Sequence, residues 1–166
     1  MSADQAAGLR QLFGSRRLRM LPLASVLGAT EHDALVSHLN AALQEHGCRV
    51  HPLDEPSAWF FDRRDDVVLA LGDDAQSMPA AYMFIKAAAR RHEQRAFRLL
   101  FSSTSERFEP RPLVARMARA AKRFLGVDVR LGAVLARTRY ADALGEFAAV
   151  IPGWRLPEFP AFPLFL

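Results

Sequence analysis

The stretch Asp66-Val67-Val68-Leu69-Ala70-Leu71-Gly72 decides the fold. It is β-branched at its start, apolar throughout and closed by glycine. It shows no polar alternation, so it predicts a strand buried on both faces, the situation of a parallel sheet. Towards the C-terminus, Ser77 predicts the cap of a long helix to about Arg95, with Pro79 in its first turn. Residues 97–103 read as a strand, 110–124 as a helix closed by Gly126, 129–136 as a strand and 140–150 as a short helix. Towards the N-terminus, residues 18–27 read as a buried strand despite Pro22. Thr30 or Asp33 predicts the cap of a helix to about His46, with Gly47 as its stop, and residues 48–53 read as a strand carrying Pro52. Residues 54–65 form a connection around Trp59-Phe60-Phe61. Strands alternating with helices predict an α/β, doubly wound and mainly parallel sheet of about five strands. A short helix from Asp4 to Phe13 precedes it. The organisation is then residues 1–17 as helix and linker, 18–150 as the α/β domain, and 151–166 as a Pro/Phe-rich tail.

Composition agrees with one domain: 166 residues, 51% apolar and 24% charged. A single cysteine, Cys48, excludes an internal disulfide, a C-x-x-C redox site and a thiolate zinc cage, and reads as a small core residue. No apolar run approaches the ~18 residues of a membrane span, and the N-terminus does not read as a secretory signal, so the expected compartment is the cytoplasm. Net charge is +4, and of 22 basic residues only Lys86 and Lys122 are lysines. The excess is spread along the chain, which permits contact with nucleic acid or anionic membranes without singling either out, and reads as solvated helix faces.

In a doubly wound sheet ligands bind at the carboxyl ends of the strands. The first such loop is Ser25-Val-Leu-Gly28-Ala-Thr30-Glu31-His32-Asp33. A phosphate cradle needs converging backbone N–H groups on glycines, a lysine and a magnesium-binding hydroxyl. Here there is one glycine, no lysine, and acids that repel phosphate. Neither His32, His38, His46, His51 nor His92 falls into a metal-ligand spacing, and no G-x-S-x-G elbow occurs. Gly72-Asp73-Asp74 reads as a turn and helix cap. In the tail, Pro157, Pro160 and Pro163, and likewise Phe159, Phe162 and Phe165, recur every three residues. That is the polyproline II period, which predicts one phenylalanine stripe packing on its own domain or on a second copy.

The opening Asp4-Gln5-Ala6-Ala7-Gly8-Leu9-Arg10 resembles the N-terminal D-Q-A-x-x-L-R signature of FlhG (FleN), the MinD-like, deviant P-loop ATPases of bacterial flagellar number. Residues 34–43 look like the helix after that family's phosphate loop, and 48–54 like its second strand. Residues 66–72, 81–86, 97–100 and 122–126 follow its later half in order. The resemblance covers residues 4–54 and about 65–140. It implies a MinD-like P-loop fold and an N-terminal helix that acts on FlhF, an SRP-type GTPase. Asp4, Gln5, Ala6, Leu9, Arg10 and Phe13 would be the partner contacts. The chain departs from the family where nucleotide chemistry resides. His32 and Asp33 stand in place of Lys and Thr, Leu27 in place of the additional lysine, and only residues 54–65 occupy the magnesium-switch region. The expectation is a degenerate phosphate loop (Gly28, His32, Asp33), no cofactor and no ATP hydrolysis: a pseudo-ATPase that acts by binding. Two rivals remain. One is a nucleotide-dependent enzyme with an unorthodox site near Gly28, Asp54 and Asp73. The other is a non-catalytic subunit pairing with a true ATPase through its sheet edge or tail.

Overall fold

The computed structural model describes residues 17–55 and 58–160. The expected N-terminal helix, with Asp4, Gln5, Ala6, Leu9, Arg10 and Phe13, lies outside the described residues, as do Phe162 and Phe165. The elements are β1 (Arg17–Ser25), α1 (Ala29–Leu43), β2 (Cys48–Pro52), β3 (Val67–Gly72), α2 (Ser77–His92), β4 (Ala96–Ser103), α3 (Arg111–Leu125), β5 (Asp128–Ala136), α4 (Tyr140–Val150) and β6 (Glu158–Pro160). Strands β2-β1-β3-β4-β5 form a parallel sheet in that order, and β6 pairs antiparallel with β1. This is a doubly wound order whose direction of winding reverses between β1 and β3.

Residues 67 to 71 of β3 are fully buried and feed two cores by alternation. Val68 and Ala70 join Leu35, Leu39 and Leu43 of α1 and Phe147 of α4 on one face. Val67, Leu69 and Leu71 join Ala81 and Ile85 of α2 and Val114 and Met117 of α3 on the other. Gly47 and Gly126 stop their helices in the left-handed conformation, at φ 63° and 64°. Helix α2 stops at His92, short of Arg95, because Glu93 takes that conformation and Gln94 turns inward, its amide donating to the Asp65 and Ala96 carbonyls.

The tail departs from the polyproline expectation. β3 pairs with β1 only from Leu23 to Ser25, which leaves the first half of β1 without a neighbour on that side. Backbone groups at such a place need partners. The C-terminal segment supplies them: Asp66 N–H donates to Arg155 O (2.7 Å), Met20 N–H donates to Pro157 O (2.9 Å), and Glu158–Pro160 pairs with Arg17–Arg19. A polyproline helix would leave these donors unpaired, so Phe159 lies in a strand, its ring 5.3 Å from that of Phe60. Pro22 is explained by the same junction. Met20 and Val26 point their N–H groups towards the β6/β3 side, and Pro22, in phase with them, places its missing donor where β1 changes partner. Pro52 lies on the edge strand β2, out of phase with Leu53, whose N–H donates to Leu23 O on β1.

Candidate functional site at the carboxyl ends of the strands

The crevice at the reversal point is bounded by the β1–α1 and β3–α2 loops. Val26 N–H donates to Ala70 O (3.0 Å) and Leu27 N–H to Ser25 Oγ (2.9 Å), which closes the first loop tightly. The N-cap of α1 is Gly28, with no side-chain cap; Thr30 and Asp33, expected as caps, lie inside the helix. Gly28 has φ −62°, ψ 156°, and a Cβ there would meet nothing within 4 Å. Neither turn geometry nor close packing therefore requires this glycine.

The first two turns of α1 carry Glu31, His32 and Asp33. Glu31 pairs at 3.7 Å with Arg137, which follows β5. His32 and Asp33 line a cavity of about 300 Å³ together with Ser25, Leu53 and Asp54. His32 Nδ1 is buried there without a hydrogen-bond partner among the described residues. The structure thus brings His32, Asp33 and Asp54 to one cavity next to Gly28, but sends Asp73 elsewhere. Asp73 accepts from the Ser103 hydroxyl and the Thr104 N–H, both at 3.0 Å, and ties the β3 loop to the β4 loop. Burial pushes its carboxyl up, but these hydrogen bonds outweigh that and hold it below the ordinary value. Asp74 accepts from Ser77 Oγ and Gln76 N–H, both at 2.9 Å, which lower it likewise. The N-cap of α2 is Gln76, with no side-chain cap; Ser77, expected as the cap, lies inside the helix.

No lysine reaches this crevice. Lys122 pairs with Asp128 at the start of β5, the opposite end of the sheet, and Lys86 lies midway along α2. A second cavity, of about 400 Å³, opens between α1 and α4. Leu27, Ala34 and Leu35 give it an apolar wall, and His38, Ser102, Arg137 and Tyr140 give it polar groups. The His38 and Tyr140 rings meet edge to face at 5.2 Å, and burial pushes the Tyr140 phenol up. The sequence reading missed Ser102, Arg137 and Tyr140. The signal was available, since Ser102 lies at the carboxyl end of β4 and Arg137 and Tyr140 follow that of β5, where the rule applied to β1 holds equally. Cys48 is buried, its thiol pushed up by burial.

No protein-family model matches this chain, and no curated protein sequence matches it.

Proposed function

We propose that this protein is a non-catalytic, FlhG-like regulator of bacterial flagellar assembly that binds an FlhF-type SRP GTPase through residues 4–13. The observation that carries the first half of this reading is the chemistry of the crevice. Its helix N-terminus is fronted by Glu31 and Asp33, its loop carboxylates Asp73 and Asp74 are spent on the loops, and it holds no lysine. A nucleotide triphosphate would meet Asp33 and an Arg137 already paired with Glu31 where it needs a free lysine.

The binding half rests on the sequence motif. Leu9 and its apolar neighbours would anchor a short helix, Arg10 would meet acidic side chains, and Gln5 would approach the partner's nucleotide. A peptide of residues 1–20 accelerates GTP hydrolysis by the cognate FlhF-like protein in this reading, and Gln5→Ala removes the acceleration.

The second reading is a small-molecule site, favoured by the cavity between α1 and α4. Calorimetry with magnesium-ATP separates the two. The first reading expects no heat of binding; micromolar affinity that is lost on changing Arg137 or Tyr140 promotes the second.

A further inference from the structure

The basic residues that look scattered along the chain are gathered by the crossovers onto one side of the sheet. Helices α2 and α3 pack side by side on one face. They carry three and five Lys/Arg respectively and no Asp or Glu: Lys86, Arg90 and Arg91 on α2, and five cations from Arg111 to Arg123 on α3. Helices α1 and α4, on the other face, carry Glu31, Asp33, Asp142 and Glu146 and no Lys or Arg. Of the eight cations only Lys122 has an ion-pair partner among the described residues, Asp128. The acids nearest this layer lie in the connections. Glu93 is paired with Arg63, Glu109 accepts the Arg111 N–H, and Glu106 lies in the β4–α3 loop.

Two of the most exposed large apolar side chains among the described residues lie in the same layer. Met83 on α2 is 60% exposed and Phe124 at the end of α3 is 68% exposed, with the Arg123 guanidinium 5.4 Å from its ring. Met83, Ala87 and Arg90 fall on one stripe of α2, and Pro112, Arg116, Arg119 and Arg123 on one stripe of α3, all exposed.

We propose that the α2–α3 layer is a docking surface for an anionic lipid bilayer, with Phe124 and Met83 entering the headgroup region. Cations flanking exposed apolar side chains suit a surface that is charged at its headgroups and apolar beneath. On the opposite face Glu31 and Glu146 are paired with Arg137 and Arg139, so that face carries little net charge, and the contrast with the cation-rich α2–α3 layer sets the orientation. Shape separates a bilayer from duplex DNA: two packed helices, each about 10 Å across, make a face wider than the ~12 Å major groove.

The test is co-sedimentation of the full chain with vesicles of phosphatidylcholine alone, and of phosphatidylcholine mixed with phosphatidylglycerol. Binding is expected only to the mixed vesicles and declines as salt is raised. Arg116→Gln with Arg119→Gln removes two exposed, unpaired charges without touching the core. It lowers partitioning about 30-fold, the effect of losing about 2 kcal/mol. Phe124→Ala lowers it roughly five- to tenfold, and Asp142→Asn on the opposite face leaves it unchanged. Equal binding to both vesicles, no effect of the double substitution, or tighter binding to a DNA duplex than to mixed vesicles at the same salt overturns the proposal. Salt-reversible self-association without vesicle binding also overturns it, because it would assign the basic layer to a second copy.

Discussion

At Gly132 one hydrogen atom decides whether β5 can run past β4. The register shifts there, Leu99 facing Leu131 and Leu100 facing Ala133, so Gly132 is the extra residue of a bulge. A Cβ on it would lie 3.0 Å from the Leu99 carbonyl oxygen and 3.2 Å from Trp154 Cη2, neither of which can swing away. Gly132→Ala is therefore expected to cost about 1–3 kcal/mol in urea unfolding. Gly28 is the contrast. Its conformation suits any residue and its surroundings are open, so Gly28→Ser supplies the missing cap and stabilises by about 0.5 kcal/mol. His92 gives a residue-level pH signature. Its ring stacks on Trp59 at 4.4 Å, and burial, with the neighbouring Arg91 charge, holds the imidazole below its usual 6.5. The folded state then binds this proton less readily than the unfolded chain. The contribution to stability is full above 6.5 and is lost as pH falls through the lower native value. An NMR titration of the His92 ring protons is expected to show a midpoint below 6.5, moved upward by Trp59→Ala.

Among the elements, the strap formed by residues 151–160 holds the two halves of the sheet at their amino ends. Trp154, 8% exposed, packs edge-on against Phe147 and lies over Arg98, 4.5 Å from ring centroid to guanidinium carbon. Arg98 in turn lies 3.3 Å from Asp66, and Asp66 accepts the Arg155 N–H. Arg19 reaches the same turn, donating to the Ile151 and Trp154 carbonyls. Trp154→Ala therefore removes core packing and the cover over the Arg98–Asp66 pair, and is expected to cost about 3–5 kcal/mol by urea unfolding. Elements whose signals are local were legible in the sequence: β3 from its unbroken apolar run, the ends of α1 and α3 from Gly47 and Gly126, and α4 from residues 140–150. The strap was not. β6 forms because β1 lacks a neighbour between Arg17 and Arg19, and that vacancy arises from where β3 starts, some fifty residues along the chain. The Ser77 cap failed because Ser77 lies inside α2 and its hydroxyl donates to Asp74.

For the whole molecule, the topology gathers part of a diffuse arginine excess onto the α2–α3 layer, a pattern visible only once the crossovers are known. The crevice was legible in part. The absence of lysine and the acids Glu31 and Asp33 are plain in the first loop, whereas the grouping of His32 with Asp54, and of Ser102 with Arg137 and Tyr140, depends on strand order. The measurement that bears most directly on this account is GTP turnover by the cognate FlhF-like GTPase, alone, with the full-length protein, and with a version lacking residues 1–14. Ordering about ten residues costs on the order of 1–2 kcal/mol each in backbone entropy, so the apolar face of the segment must bury well on the partner, and Leu9→Ala is expected to weaken binding more than the maximal rate. The account predicts that the full-length protein accelerates turnover and the truncated one does not; equal stimulation by both would contradict it.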